Sequence, residues 1–180
     1  MNSRVQIVEG KMHHCGQILR RLRVEHASAF AMVGLNAHRE LRNTAAQSAY
    51  RRAAFLDGKL AALWGVTGSS LCPWGYVWLC LTNEAAAHPI IVLRGALQQI
   101  DEIMKMKTEL TTTVLHGDEA ALRLCAFLGF HCAHEGLGSA AFSRWSRRNL
   151  MNHVRENPDI RVAAGQSYAM QVGYHHQGNA

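Results

Sequence analysis

The 180-residue chain predicts a mixed α/β fold: a central mixed sheet of six to seven strands flanked by helices, with an extended arm at the C-terminus. Three observations predict it. Leu110 to Phe130 reads as a β-branched strand, a polar turn, a short amphipathic helix and a closing Gly-Phe. Asp57-Gly58 joins two apolar runs as a two-residue hairpin, because both central positions tolerate positive φ. A longer helix from Pro89 carries apolar residues at three- and four-residue spacing, as a helix packed on a sheet requires.

In chain order, Val5 and Ile7 alternate with polar neighbours as a first strand that Gly10 ends. Met12, Cys15, Leu19, Leu22 and His26 mark one helical stripe, and a second helix runs through Glu40 and Leu41 after a break at Gly34. Tyr50–Leu56 and Lys59–Val66 form the hairpin, and Tyr76–Thr82 is a continuous apolar strand suited to the sheet centre. Trp64, Trp74 and Trp78 are expected in the core. Pro89 starts the next helix where a missing amide proton costs nothing, and Ile90, Leu93, Leu97, Ile100 and Met104 form its apolar face. Thr111 to Val114 favour an extended chain, Asp118 caps the helix that carries Ala121, Leu124, Cys125 and Leu128, and Gly129 closes it. Two strands then lead to Trp145.

The 48% apolar content fits one domain over 1–145, with 146–180 as an appendage. No run of about 18 apolar residues is present to span a bilayer, and the N-terminus lacks the apolar core of a secretory signal. Five cysteines without CxxC spacing argue against a disulfide framework. His13-His14, His175-His176, His131 and His134 have side chains that diverge, so no metal site is expected. The net charge of +6 comes from 15 arginines and four lysines, with clusters at Arg20, Arg21 and Arg23, at Arg51 and Arg52, and at Arg144, Arg147 and Arg148. Such clusters suit phosphates or an acidic protein surface, and equally the solvated faces of helices. Beyond Trp145, Arg147–Glu156 reads as a short helix stopping before Pro158, and the remaining tail has too little apolar surface to fold alone. Tyr168, Met170, Val172 and Tyr174 alternate as one face of a strand that adds to a neighbouring subunit, with Arg147 and Arg148 beside them as partner-binding candidates.

The stretch from Leu110 to Phe130 resembles the C-terminal motif of the GNAT acyltransferase superfamily, a strand, then an Asn-x-x-Ala-x-x-x-Tyr helix, then Gly-Phe. Asp118 stands at the Asn position, Ala121 matches, and Cys125 occupies the tyrosine position, where the family often keeps the general acid for the departing coenzyme A thiolate. The element order from Arg4 to Trp145 is similar to that of the whole GNAT fold. The resemblance implies acetyl-CoA as cofactor, with its pyrophosphate on a glycine-rich loop before the helix that starts at Pro89. Here that loop is Asn83-Glu84-Ala85-Ala86-Ala87-His88-Pro89, without glycine or arginine, and Glu84 opposes a pyrophosphate. Leu81, Thr82, Asn83, His88, Pro89, Ile90 and Asp118 are the cofactor-contact candidates, and His116, Cys125 and Glu40 the catalytic ones by chemistry alone.

Pro73-Trp74 through Leu81-Thr82, Leu93-Arg94 and Leu124–Phe130 also resemble the GNAT-like internal virion protein A group of short-tailed bacteriophages. That resemblance implies a virion-associated structural or assembly protein, made in the host cytoplasm, using the fold without the usual catalytic residues. Portal, tail or fibre components, or a second copy of the chain, would be its partners, and no cofactor is expected. Two alternatives stay open: an acetyl-CoA-dependent N-acyltransferase with a degenerate pyrophosphate loop, and a non-specific DNA-associated protein of the capsid interior.

Overall fold

The computed structural model describes residues 4–135 and 141–149. The proposed strand of Tyr168, Met170, Val172 and Tyr174, with the rest of the arm, lies outside these residues. The elements are β1 (Val5–Glu9), α1 (Met12–Leu19), α2 (Val24–Met32), α3 (Ala37–Ala46), β2 (Ser48–Leu56), β3 (Lys59–Thr67), β4 (Trp74–Leu81), α4 (Asn83–Ala86), α5 (Pro89–Met104), β5 (Glu109–Leu115), α6 (Glu119–Phe127), β6 (His131–Glu135) and β7 (Phe142–Arg148). Seven strands form one mixed sheet in the order β1-β2-β3-β4-β5-β7-β6. All neighbours are antiparallel except β4 and β5.

Alternation along the central strands sends side chains to both faces of the sheet. Ala53, Leu63, Trp78 and Cys80 pack with Cys15 and Ile18 of α1 and with Leu41 and Ala45 of α3. Ala62, Trp64 and Leu81 pack with Ala85 of α4 and with Ile91 and Val92 of α5, while Ile100, Ile103 and Met104 close on Val66, Leu110 and Phe130. Asp57 and Gly58 both take positive φ at the hairpin turn, as that pair of residues predicts. Among the described residues no helix is long and apolar enough to cross a membrane.

Several local expectations are corrected. The first stripe is split into α1 and α2, because Leu22 leaves the helix to form an antiparallel bridge with Thr82. Three helices therefore precede the hairpin instead of two. Ile90 is 63% exposed, and Ile91, Val92 and Ile103 carry the packing face of α5 in its place. Trp74 is 59% exposed at the start of β4, whereas Trp64 and Trp78 are buried. Val5 and Ile7 are exposed because β1 is an edge strand with one neighbour. Arg147 and Arg148 end β7 instead of starting a helix, since Leu110 and Glu109 of β5 pair with them.

Candidate functional site

The parallel ladder of β4 and β5 is short: Trp74 pairs with Glu109, Gly75 with Leu110 and Tyr76 with Thr111, and there the ladder stops. β4 continues to Leu81 and β5 to Leu115, so the two strands splay and their facing edges no longer bond to each other. The splay opens a cleft of about 940 Å³ whose walls include Trp78, Thr113, Phe30, Arg23, His26 and Asp118. Main chain at the end of a strand and the N-terminus of α6 thus meet at one place.

Asp118 is the N-cap of α6, and its Oδ1 accepts from the Ala121 amide at 3.0 Å. The same oxygen accepts from Arg23 Nη2 at 2.8 Å, with both side chains under a tenth exposed. Arg23 Nε also donates to Glu25 Oε2 at 3.0 Å. Burial alone would pull the guanidinium down, but its bonds to Asp118 and Glu25 and their charges raise it, so the cation is secured. This ion pair ties the first turn of α2 to the first turn of α6 across 95 residues of sequence.

The start of α2 is strapped to the end of β4 as well. Arg23 N donates to Leu81 O at 2.9 Å, and Leu81 N donates to His26 Nδ1 at 3.2 Å. Because Nδ1 accepts, the proton of the neutral imidazole sits on Nε2, which lies 4.0 Å from Asp118 Oδ2. Burial first, and then the Arg23 charge, lower the His26 pKa, with Asp118 and Glu25 acting in the opposite sense. A neutral imidazole held this way has its lone pair turned to the main chain, so it is a poor base for a substrate in the cleft.

The segment that follows β4 forms the short helix α4. Thr82 is fully buried, and its Oγ1 accepts from Ala85 N. Ala86 N donates to Thr82 O, Ala87 N to Asn83 O and His88 N to Ala85 O. Pro89 opens α5 without an amide proton. Glu84 is ion-paired with Arg21. Most backbone donors of the loop are therefore committed within it, and its exposed members Asn83, His88, Pro89 and Ile90 present no concave nest to an anion.

Of the catalytic candidates, Cys125 lines the cleft and is half-buried. Burial, and then the Asp118 charge, push its thiol up to about 11, so it is a protonated donor at neutral pH and a weak nucleophile. His116 is exposed in the turn after β5, its amide bonded to Ala141 O, and is absent from the cleft wall. Glu40 sits on α3 against Arg39, also away from the wall. Arg147 donates to Leu128 O and pairs with Asp101, and Arg148 pairs with Glu109. Reading the chain alone placed His26 on a helical stripe and Arg23 in a basic cluster, and found neither in a site. The available signal was a histidine at an otherwise apolar stripe position.

No protein-family model matches the chain, and no curated protein sequence matches it. Solved structures do. The PaiA N-acetyltransferase of Thermoplasma acidophilum, in complex with coenzyme A, is 14% identical with a TM-score of 0.61, over 81% of this chain and 99% of that one. YncA of Salmonella typhimurium, a putative acetyltransferase with its cofactor acetyl-CoA, is 12% identical with a TM-score of 0.57, over 80% and 93%. The ribosomal-protein-S5-alanine acetyltransferase of Vibrio fischeri is 14% identical with a TM-score of 0.55, over 83% and 97%. The chain has a GNAT-like fold, as the Leu110–Phe130 motif and the element order imply. Tested against the coenzyme, the Thr82–Pro89 segment does not fit a pyrophosphate in that family's manner. The amides of Ala85 to His88 are engaged within the segment, Pro89 has none, and Glu84 adds a negative charge, paired with Arg21, to the segment's first turn.

Proposed function

We propose that this chain uses its GNAT-like fold as a binding scaffold in or near a bacteriophage particle, without acyl transfer from acetyl-CoA. The observation that supports the non-catalytic half is the commitment of the β4 terminus. Leu81 bonds through both main-chain groups to the start of α2, Thr82 N donates to Ala61 O, and the four amides from Ala85 to His88 bond within the loop or to the Thr82 side chain. An acyl carrier entering the splay would meet the Arg23 and His26 contacts that strap α2 to the end of β4. The particle setting rests on the likeness of Trp74–Thr82, Leu93-Arg94 and Leu124–Phe130 to the internal virion protein A group, with portal, tail or fibre components or a second copy as partners.

The second reading, an N-acyltransferase, is favoured by one observation. Cys125 stands in the cleft at the family's tyrosine position as a thiol pushed up to about 11, close to the proton-donating range of a phenol near about 10. Thermal unfolding with acetyl-CoA to millimolar concentration separates the two. A ligand at about 100 times its Kd adds about 2.7 kcal/mol, or roughly 5–10 °C in a domain this size. The scaffold reading expects no saturable shift, and a shift of that size would replace it with the acyltransferase.

A further inference from the structure

On the opposite face of the sheet from α1 and α3, a cavity of about 150 Å³ lies between the central strands and α5. Its wall is nearly all hydrocarbon, with Ala62, Val77, Leu79, Ile91 and Ile100 among the contributors. Apolar cavities of this size hold small aromatic molecules. Two features set it apart from a packing fault. Trp64 forms part of the wall, is 8% exposed, and its indole Nε1 is the buried side-chain polar atom without a hydrogen-bond partner among the described residues. The nearby amide of Gln99 is engaged differently, its Oε1 accepting from Tyr50 Oη at 2.9 Å. An indole N–H in hydrocarbon is costly unless an acceptor reaches it, since buried donors are otherwise almost always paired.

The second feature is Gly95, in the interior of α5 and in the cavity wall. Glycine is the poorest of the ordinary residues in a helix interior. A Cβ at this position would meet no atom within 4 Å, so no steric contact in the fold requires the glycine, and the space beside this part of the cavity wall is open. At Gly65 and Gly75, by contrast, a Cβ would meet neighbours at 2.7 Å and 2.5 Å.

We propose that this cavity is a binding site for a small neutral apolar molecule carrying one hydrogen-bond acceptor, oriented by the Trp64 indole N–H and kept open by Gly95. The site is separate from the Arg23–Asp118 cleft chemistry, although the two cavities share Leu79, Leu81, Thr112, Leu124 and Cys125 in their walls. Of the shared residues, Leu79 and Leu81 belong to β4, Thr112 to β5, and Leu124 and Cys125 to α6, so the two cavities adjoin where β4 and β5 splay.

A matched pair of probes tests it: acetophenone, and ethylbenzene, which has nearly the same shape and no acceptor. Calorimetry and proton NMR of the full chain should show saturable binding of both, with acetophenone favoured about three- to tenfold, the ratio given by one net hydrogen bond. Acetophenone should move the Trp64 indole N–H resonance downfield and ethylbenzene should not. Trp64→Phe should erase the preference while retaining ethylbenzene. Gly95→Leu should abolish binding of both and leave the melting temperature unchanged or higher. No saturable binding to the wild-type chain would overturn the site, and so would binding that survives Gly95→Leu. Equal affinities with an unmoved indole resonance would overturn the role of Trp64, and the spectrum reads this even where Trp64→Phe fails to fold.

Discussion

Removing the Asp118 carboxylate should be among the most damaging single changes available to this chain. Asp118→Ala strips Arg23 of its buried partner, leaving a guanidinium that is under a tenth exposed and holds only Glu25, itself about half exposed. Breaking a buried pair by removing one member costs about 3–5 kcal/mol. The change also deletes the N-cap of α6, worth about 1 kcal/mol. One oxygen, Oδ1, serves both roles, so the two losses overlap and the expected total is about 4–5 kcal/mol. That is a large share of the roughly 5–15 kcal/mol that holds a typical domain folded. Asp118→Asn keeps an acceptor for the Ala121 amide and for Arg23 but loses the charge, so it should cost about 3 kcal/mol, and the gap between the two variants reads the loss of those two hydrogen bonds together. The double change Arg23→Met with Asp118→Asn removes both charges and should recover most of the loss. Urea unfolding followed by far-UV circular dichroism measures this. With a slope of about 2 kcal/mol per molar, Asp118→Ala moves the midpoint down by about 2 M. If Asp118→Asn lies within about 0.5 kcal/mol of the wild type, the Arg23–Asp118 pair is not the buried strap between α2 and α6, and the account of the cleft fails.

The remaining predictions concern pH and packing. His26 and His14 both have folded pKa values below the usual 6.5, for each chiefly through burial. The unfolded chain therefore binds protons more readily at these two sites, so their contribution to stability should be full above about pH 6.5, fall as pH drops below it, and level off below the folded values. His26→Gln, which keeps an acceptor for the Leu81 amide, should flatten that acid-side slope, and a variant with an unchanged slope would remove His26 from the explanation. Gly65 lies opposite Trp78 in the β3–β4 ladder, where a Cβ would sit 2.7 Å from Tyr50 O and 2.8 Å from the Trp78 ring. Gly65→Ala should cost about 1–3 kcal/mol through forced displacement of that ring, read as a lowered urea midpoint, and a neutral result would mean the strands separate without cost.

Much of the fold was legible along the chain, because the signals that built it are local. The Asp57-Gly58 turn follows from which residues tolerate positive φ. The cap of α6 follows from a carboxylate placed three residues before the amide it receives, and the start of α5 from a proline where no amide proton is needed. Where the signal was a stripe alone, it misled. Met12 to His26 has the spacing of one helix, yet a bridge from Leu22 to Thr82 outweighs that periodicity and breaks it in two. Trp74 has the composition of a core residue and lies in the open, because it sits at the start of its strand with a loop before it.

The candidate site divides along the same line. Sequence alone determined that the loop after β4 lacks glycine and arginine, that Cys125 stands at the tyrosine position of a GNAT-like motif, and that Asp118 would head a helix. Only the tertiary structure decided that Asp118 faces Arg23, that His26 takes its hydrogen bond from Leu81, and that Trp64 and Gly95 share a cavity. The physical reason is distance along the chain. A cap, a turn or a helical face is settled by residues a few positions apart. An ion pair across 95 residues, or a histidine bonded across 55, exists only when the sheet has brought the two segments together and removed the water between them.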